Sequence, residues 1–176
     1  PVRKPTRDHY LAAALVLLYP RGGVTHLVLT VRASDLPQHA GQVSLPGGAV
    51  DPGETLPQAA LREAWEEVGV EPASVSVIGA LTPLHIPVSG FLLHPLVGAT
   101  PDAPVFTPHV REVAQVAEVS LADLAAPATR ALTHWHYEDR DYEVPYFDVH
   151  GLQVWGATAM VLGEFLAVVT EAFGPR

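Results

Sequence analysis

One short stretch constrains this chain more than anything else in it. From Gly48 to Val70 it reads GAVDPGETLPQAALREAWEEVGV. The spacing predicts a helix from about Leu56 to Val68. Thr55 can cap it, and Gln58 three residues later completes a capping box. Pro57 is tolerated in the first turn, and Gly69 suits the left-handed residue that ends a helix. Leu61, Ala64, Trp65 and Val68 recur at three- and four-residue spacing, which predicts one apolar face. Glu63, Glu66 and Glu67 stand at i, i+3 and i+4, so they share another face. Like charges so placed weaken a helix. No lysine lies nearby, and Arg62 precedes Glu66 in the weaker orientation of an i, i+4 pair.

Three helical glutamates alone read as a solvated acidic face, and the alternative is a cation site. The surroundings favour the second. Hard divalent ions such as Mg²⁺ and Mn²⁺ prefer oxygen ligands and combine carboxylates with substrate phosphates. Such an ion would relieve the repulsion and make a surface that attracts a diphosphate. Pro46-Gly47-Gly48 precedes the helix by a short loop, and its glycines let the backbone approach an ion closely. Glu54, at the turn before the helix, can hold the loop against it.

The stretch resembles the signature of the Nudix hydrolases, G-x5-E-x7-R-E-U-x-E-E-x-G-U, where U is a bulky aliphatic residue. Gly48, Glu54, Arg62, Glu63, Glu66, Glu67, Gly69 and Val70 fall in register. Ala64 stands where a larger aliphatic is usual, which predicts altered packing without lost chemistry. The resemblance implies an α/β fold, an α/β/α sandwich around a mixed β-sheet, covering Tyr10 to Phe173 of a single domain over residues 1–176. It implies hydrolysis of a diphosphate bond in a nucleoside diphosphate derivative, with Mg²⁺ or Mn²⁺ as cofactor. It implies Glu63 and Glu67 as metal ligands with the Gly47 carbonyl. Glu66 would be a further ligand or the base, Arg62 the salt-bridge partner of the glutamates, and Gly48 and Glu54 shapers of loop and helix. Glu112 and Glu118 are the candidate bases outside the box, and Glu66 is preferred.

Upstream, LVLTVRASDLPQHAGQVSLPGG (Leu27–Gly48) resembles the extra motif of the coenzyme A diphosphatases, LLTxR[SA]x3Rx3Gx3FPGG. Leu29, Thr30, Arg32, Ala33, Gly41, Pro46, Gly47 and Gly48 match, while Pro37 and Leu45 replace an arginine and a phenylalanine. Trp155–Thr158 resembles the start of that subfamily's C-terminal helix. The implied substrate is CoA, cleaved to 3′,5′-ADP and 4′-phosphopantetheine. Arg32 is the cation best placed for a substrate phosphate, because a guanidinium binds phosphate bidentately. Gln38, His39 and Gln42 can donate from the same loop. Rival substrates are ADP-ribose, NADH and nucleoside triphosphates. The rival class is a Nudix-fold module that binds a nucleotide without cleaving it.

Composition excludes other chemistries. There is no cysteine and one lysine, Lys4, so disulfides, thiolate sites and cysteine nucleophiles are impossible. Ten basic against 19 acidic residues give a net charge of −9, which disfavours nucleic acid as a partner. No uninterrupted apolar run approaches the ~20 residues of a membrane helix, since Gly163 and Glu164 interrupt the last candidate. No membrane anchor is expected. No secretory signal is visible, so cytoplasm is the default location. No feature selects an oligomeric state.

The remaining expectations are a hairpin of strands Tyr10–Tyr19 and His26–Arg32 around Gly22-Gly23, and a short strand Gln42–Leu45. Strands are also predicted at Val75–Leu84, Phe91–Gly98 and Val113–Val119, with a short helix at Leu121–Ala125. A second hairpin is expected around Glu138–Asp141, and a closing helix from about Val154 to Ala172. His134 and His136 share a strand face but lack a third ligand. Trp135, Tyr137, Tyr142 and Tyr146 suit core or hairpin packing, with stacking on an adenine as the alternative.

Overall fold

The computed structural model describes residues 10–34, 41–87, 89–137 and 139–173. Strand β1 (Tyr10–Arg21) is its axis. The middle of β1 is apolar on both faces because both faces are covered. Ala13, Leu15, Leu17 and Tyr19 point to one core cluster, and Ala14 and Val16 to the other. Strand β2 (Val24–Arg32) returns antiparallel from the turn at Gly22 and Gly23, whose φ angles of 59° and 78° are left-handed. On its other side β1 runs parallel to β7 (Phe91–Ala99). The sheet is therefore mixed, as expected.

β1 and β2 pair only from Leu18↔Leu27 to Arg21↔Val24 and then diverge. The chain at 43–49 fills the gap. β3 (Val43–Ser44) pairs with β2, and β4 (Gly47–Ala49) pairs with β1. Leu15 N–H closes the crossing on the Pro46 carbonyl at 2.9 Å. β4 was not expected, because glycines carry little strand propensity. The sheet is completed by β5 (Ser76–Ala80), β6 (Leu84–Ile86) and β8 (Val113–Ser120). The single strand expected over Val75–Leu84 is two, with Pro83 between them.

Helix α1 (Leu56–Val68) lies on one face with the predicted bounds. The capping box forms: Thr55 accepts from Gln58 N–H, and Thr55 N–H donates to Gln58 Oε1 at 2.9 Å. Gly69 ends the helix at φ 75°. Ala60, Ala64 and Val68 are buried against β1, whereas Trp65 is 53% exposed. The apolar face predicted through Trp65 is corrected accordingly: the inward face carries Glu67 instead, which is buried.

The opposite face carries α2 (Leu121–Ala125), α3 (Gly156–Phe173) and a three-stranded antiparallel sheet. Its strands are β9 (Arg130–Tyr137), β10 (Arg140–Val149) and β11 (Leu152–Val154). Leu124, Phe147, Val149, Val154, Leu162 and Phe165 pack together there. β9 starts four residues before the expected His134, and α3 two after the expected Val154. His134 and His136 are exposed, with His136 held by Asp141 at 2.8 Å. Trp135 packs edge-on to Trp155.

α3 runs on through Gly163 and Glu164, which interrupt its apolar run but not the helix. With a mean hydropathy of 1.4 over 18 residues, it is long and apolar enough to cross a membrane by length and composition. In this fold Val161, Leu162, Phe165 and Leu166 are buried in the core, and Glu164 accepts from Thr82 N–H and Oγ1.

Candidate active site

The site lies where β1 and β2 part. β4 passes beneath α1, and the loop at 50–55 turns back into the helix. Arg62 ties these pieces together. Its Nε and one terminal nitrogen donate to the two oxygens of Glu54, at 2.8 and 3.1 Å. The same terminal nitrogen donates to the Ala49 carbonyl at 3.0 Å. The other reaches Glu63 Oε1 at 2.8 Å and Glu66 Oε2 at 3.1 Å. Asp51 N–H donates to Glu54 Oε2, which pins the turn. The Arg62 bonds and the Asp51 amide hold Glu54 below the usual carboxylate range. The bond to Glu54, and then those to Glu63, raise the affinity of the guanidinium for its proton.

Glu67 faces inward with 4% of its side chain exposed. It accepts from Gly47 N–H at 3.2 Å, and an Arg32 terminal nitrogen lies 3.9 Å from its other oxygen. Burial pushes its carboxyl up to about 7; Glu63 adds repulsion, and the Gly47 bond opposes the rise. Burial likewise raises Glu63, against the pull of Arg62. Gly48 has a steric reason to be glycine: a Cβ there would sit 2.5 Å from Glu63 Oε1.

Among the described residues, no group of three or more His, Asp or Glu side chains is already gathered as a metal cage. Glu63 and Glu66 are turned to Arg62, and Glu67 to Gly47 N–H. The donor set still suits a hard divalent ion: the buried carboxylate of Glu67 and the partly buried one of Glu63, both raised by desolvation, beside Glu66 on one helix face, next to glycine backbone. Gathering them around an ion takes rotation of Glu63 and Glu66 away from Arg62.

Arg32 stands at the end of β2. Its backbone N–H donates to Gln42 O at 3.0 Å, and its carbonyl accepts from Gly41 N–H at 3.1 Å. Its Nε is buried and has no hydrogen-bond partner among the described residues. Gln42 therefore lies beside Arg32, whereas Gln38, His39 and Pro37 fall outside the described residues. Leu45 is buried.

Glu112 and Glu118 part company. Glu118, opposite Val28 on β2, accepts from Tyr19 Oη at 2.9 Å and pairs with Arg21 at 2.8 Å. It stands along β2 from Arg32, which faces Val113. Glu112 lines a cleft of about 560 Å³ with Glu66, Trp65, Gly69, Thr107, Pro108 and His109. The 107–112 segment is laid along the last turn of α1 by its backbone. Thr107 N–H donates to Val68 O and His109 N–H to Glu67 O, both at 2.9 Å. His109 Nδ1 then meets Glu112 Oε1 at 3.2 Å. Sequence reasoning missed His109, for it sits in a loop without periodicity. Only the free carbonyls at the end of a helix hint that a neighbouring segment must cap them.

The NUDIX domain model matches residues 9–140. An uncharacterised Nudix hydrolase, NudL, of Pectobacterium atrosepticum is 36% identical over 97% of this chain and 88% of its own. Its counterpart in Citrobacter koseri is 45% identical over 86% of this chain and 79% of its own. The crystal structure of RenU, a Nudix hydrolase from M. smegmatis, shares the fold with a TM-score of 0.64 at 22% identity, over 96% of this chain and 89% of that one. The chain belongs to the Nudix family.

Proposed function

We propose that this chain is a metal-dependent Nudix hydrolase that cleaves the diphosphate of coenzyme A, releasing 3′,5′-ADP and 4′-phosphopantetheine. The box residues support the reaction class. The observation that carries the substrate is Arg32: a guanidinium beside Glu67, with a buried N–H that has no partner among the described residues. A buried donor left so costs free energy until an acceptor arrives, and a phosphate oxygen is a good one.

Glu63 and Glu67, with the Gly47 backbone, would hold Mg²⁺ or Mn²⁺. When bound, such ions neutralise the bridging oxygens and acidify an attacking water. The chain's own groups do the rest. Arg32 binds a substrate phosphate, with Gln42 beside it. Arg62 and Glu54 fix the loop so that Gly48 leaves the Glu63 carboxylate its place. Glu66, the most exposed of the three glutamates, takes the proton of the attacking water. Water oxygen bonds to phosphorus as the anhydride P–O bond breaks. Glu112, which lines the same cleft as Glu66, is the second candidate for that proton.

The test is a substrate panel with products identified by mass spectrometry. It offers CoA, ADP-ribose, NADH, diadenosine polyphosphates and nucleoside triphosphates, each with Mg²⁺ and with Mn²⁺. Preferential conversion of CoA to 3′,5′-ADP is expected. Cleavage of another substrate with CoA untouched would overturn the CoA assignment. Ligand binding without turnover would favour a non-catalytic module.

A further inference from the structure

Trp65 is the one large apolar side chain that α1 sends outward beside its carboxylates, and it is 53% exposed. It does not pack on the core, so its burial cannot explain it. It lines the cleft that Glu66 shares with Thr107, Pro108, His109 and Glu112. At about 560 Å³ the cleft is large enough for part of a small ligand. The polar groups on its rim are the Glu66 carboxylate, the Glu112 carboxylate with its His109 partner, and Thr107, and none of the described lining residues is lysine or arginine. Such a rim brings no guanidinium or ammonium of its own to a phosphate and suits an uncharged, flat group. Arg32, the cation proposed for the substrate phosphate, stands at Glu67. The cleft adjoins that cation: Ala33 N–H, next to Arg32, donates to the Glu112 carbonyl at 2.9 Å, and His109 N–H donates to the carbonyl of Glu67, so cation and aromatic cleft border the glutamate face together.

From this arrangement we infer that Trp65 is a specificity residue: its indole is the platform on which the nucleobase of the substrate stacks, and the cleft is the base subsite. The inference rests on the reading that the box cleaves a nucleoside diphosphate derivative. If that derivative is CoA, the base is adenine. Every base has a π-face, and a tryptophan offers it a broad one at little conformational cost. Phosphates stay with Arg32 and the glutamate face, and the uncharged end of the nucleotide turns into the acidic cleft.

The experiment is steady-state kinetics of Trp65→Ala, Trp65→Leu and Trp65→Phe on whichever adenine nucleotide the intact enzyme cleaves. Base–aromatic stacking of about 1–3 kcal/mol corresponds to a rise in KM of about 5- to 140-fold. That rise is expected for the alanine variant, with kcat within about twofold and the melting temperature unchanged. The phenylalanine variant should recover most of the affinity. The leucine variant, which keeps apolar bulk but has no π-face, should not, and it replaces the alanine variant if the latter melts early. An unchanged KM in the alanine and leucine variants would overturn the inference, as would full rescue by leucine. Absence of CoA turnover in the intact enzyme, with cleavage of another adenine nucleotide, would overturn only the CoA reading; Trp65 is then tested on that nucleotide.

Discussion

Replacing Glu67 by glutamine should stabilise the metal-free protein at alkaline pH while disabling it. The Glu67 carboxyl is raised from 4.5 to about 7 in the folded protein, chiefly by burial. Below about pH 4.5 the folded and unfolded chains both hold the proton, and the group costs nothing. Between 4.5 and 7 the folded chain holds a proton that the unfolded chain has lost, so stability falls as pH rises. Above 7 the full cost is present, about 3 kcal/mol at 1.36 kcal/mol per pH unit. Glutamine does not ionise, and its Oε1 can still accept from Gly47 N–H. Urea unfolding in a chelator should therefore find the two proteins alike near pH 4.5 and the variant more stable by up to about 3 kcal/mol at pH 8. A divalent cation should reverse the order at pH 8, because it stabilises only the ionised carboxylate; its effect on the native protein should be larger at pH 8 than at pH 5. A difference between the proteins that is the same at pH 5 and pH 8 would refute the reasoning.

Arg62→Ala strands the carboxylates of Glu54 and Glu63 and the Ala49 carbonyl at once. Thermal denaturation should show a melting temperature lower by roughly 3–8 °C, and Arg62→Lys should fall between, since lysine cannot reproduce the fork. Gly48→Ala pushes on the far end of Glu63, a displacement that should cost about tenfold or more in kcat with little loss of stability. Gly47→Ala meets the backbone of Ala14 at 2.6 Å and should show the reverse emphasis, an early melt. Arg32→Ala should raise KM for CoA about tenfold or more, with a much smaller change in kcat. Equal effects of the two glycine variants on melting, or an unchanged KM for the Arg32 variant, would count against these assignments.

Much of this was legible in the sequence where local chemistry and tertiary packing agree. α1 kept its predicted bounds because its signals are all local: the Thr55–Gln58 box at one end and Gly69 at the other. Ala64 proved buried, as its place in the helix required. The apolar stripe misled at Trp65 because periodicity ranks residues by hydrophobicity. This helix buries a glutamate and exposes a tryptophan. Strand β4 and the split between β5 and β6 depend on what lies alongside, which Gly47-Gly48 and Pro83 do not advertise. The pairing of Arg62 with Glu66 was readable from i, i+4 spacing; its fork on Glu54 needed the loop's return. His109 and the position of Glu112 were out of reach, since hydrogen bonds to the last carbonyls of α1 set them. Glu118 looked equivalent to Glu112 in sequence, and only the pairing of β8 with β2 separates them.

The most direct test of the central claim is CoA turnover by the native protein and the Glu67→Gln variant, with Mg²⁺, with Mn²⁺ and with a chelator. Formation of 3′,5′-ADP and 4′-phosphopantetheine should require the cation and should fall by about a hundredfold or more in the variant. Turnover that persists in the chelator, or a variant that keeps its rate, would contradict the account.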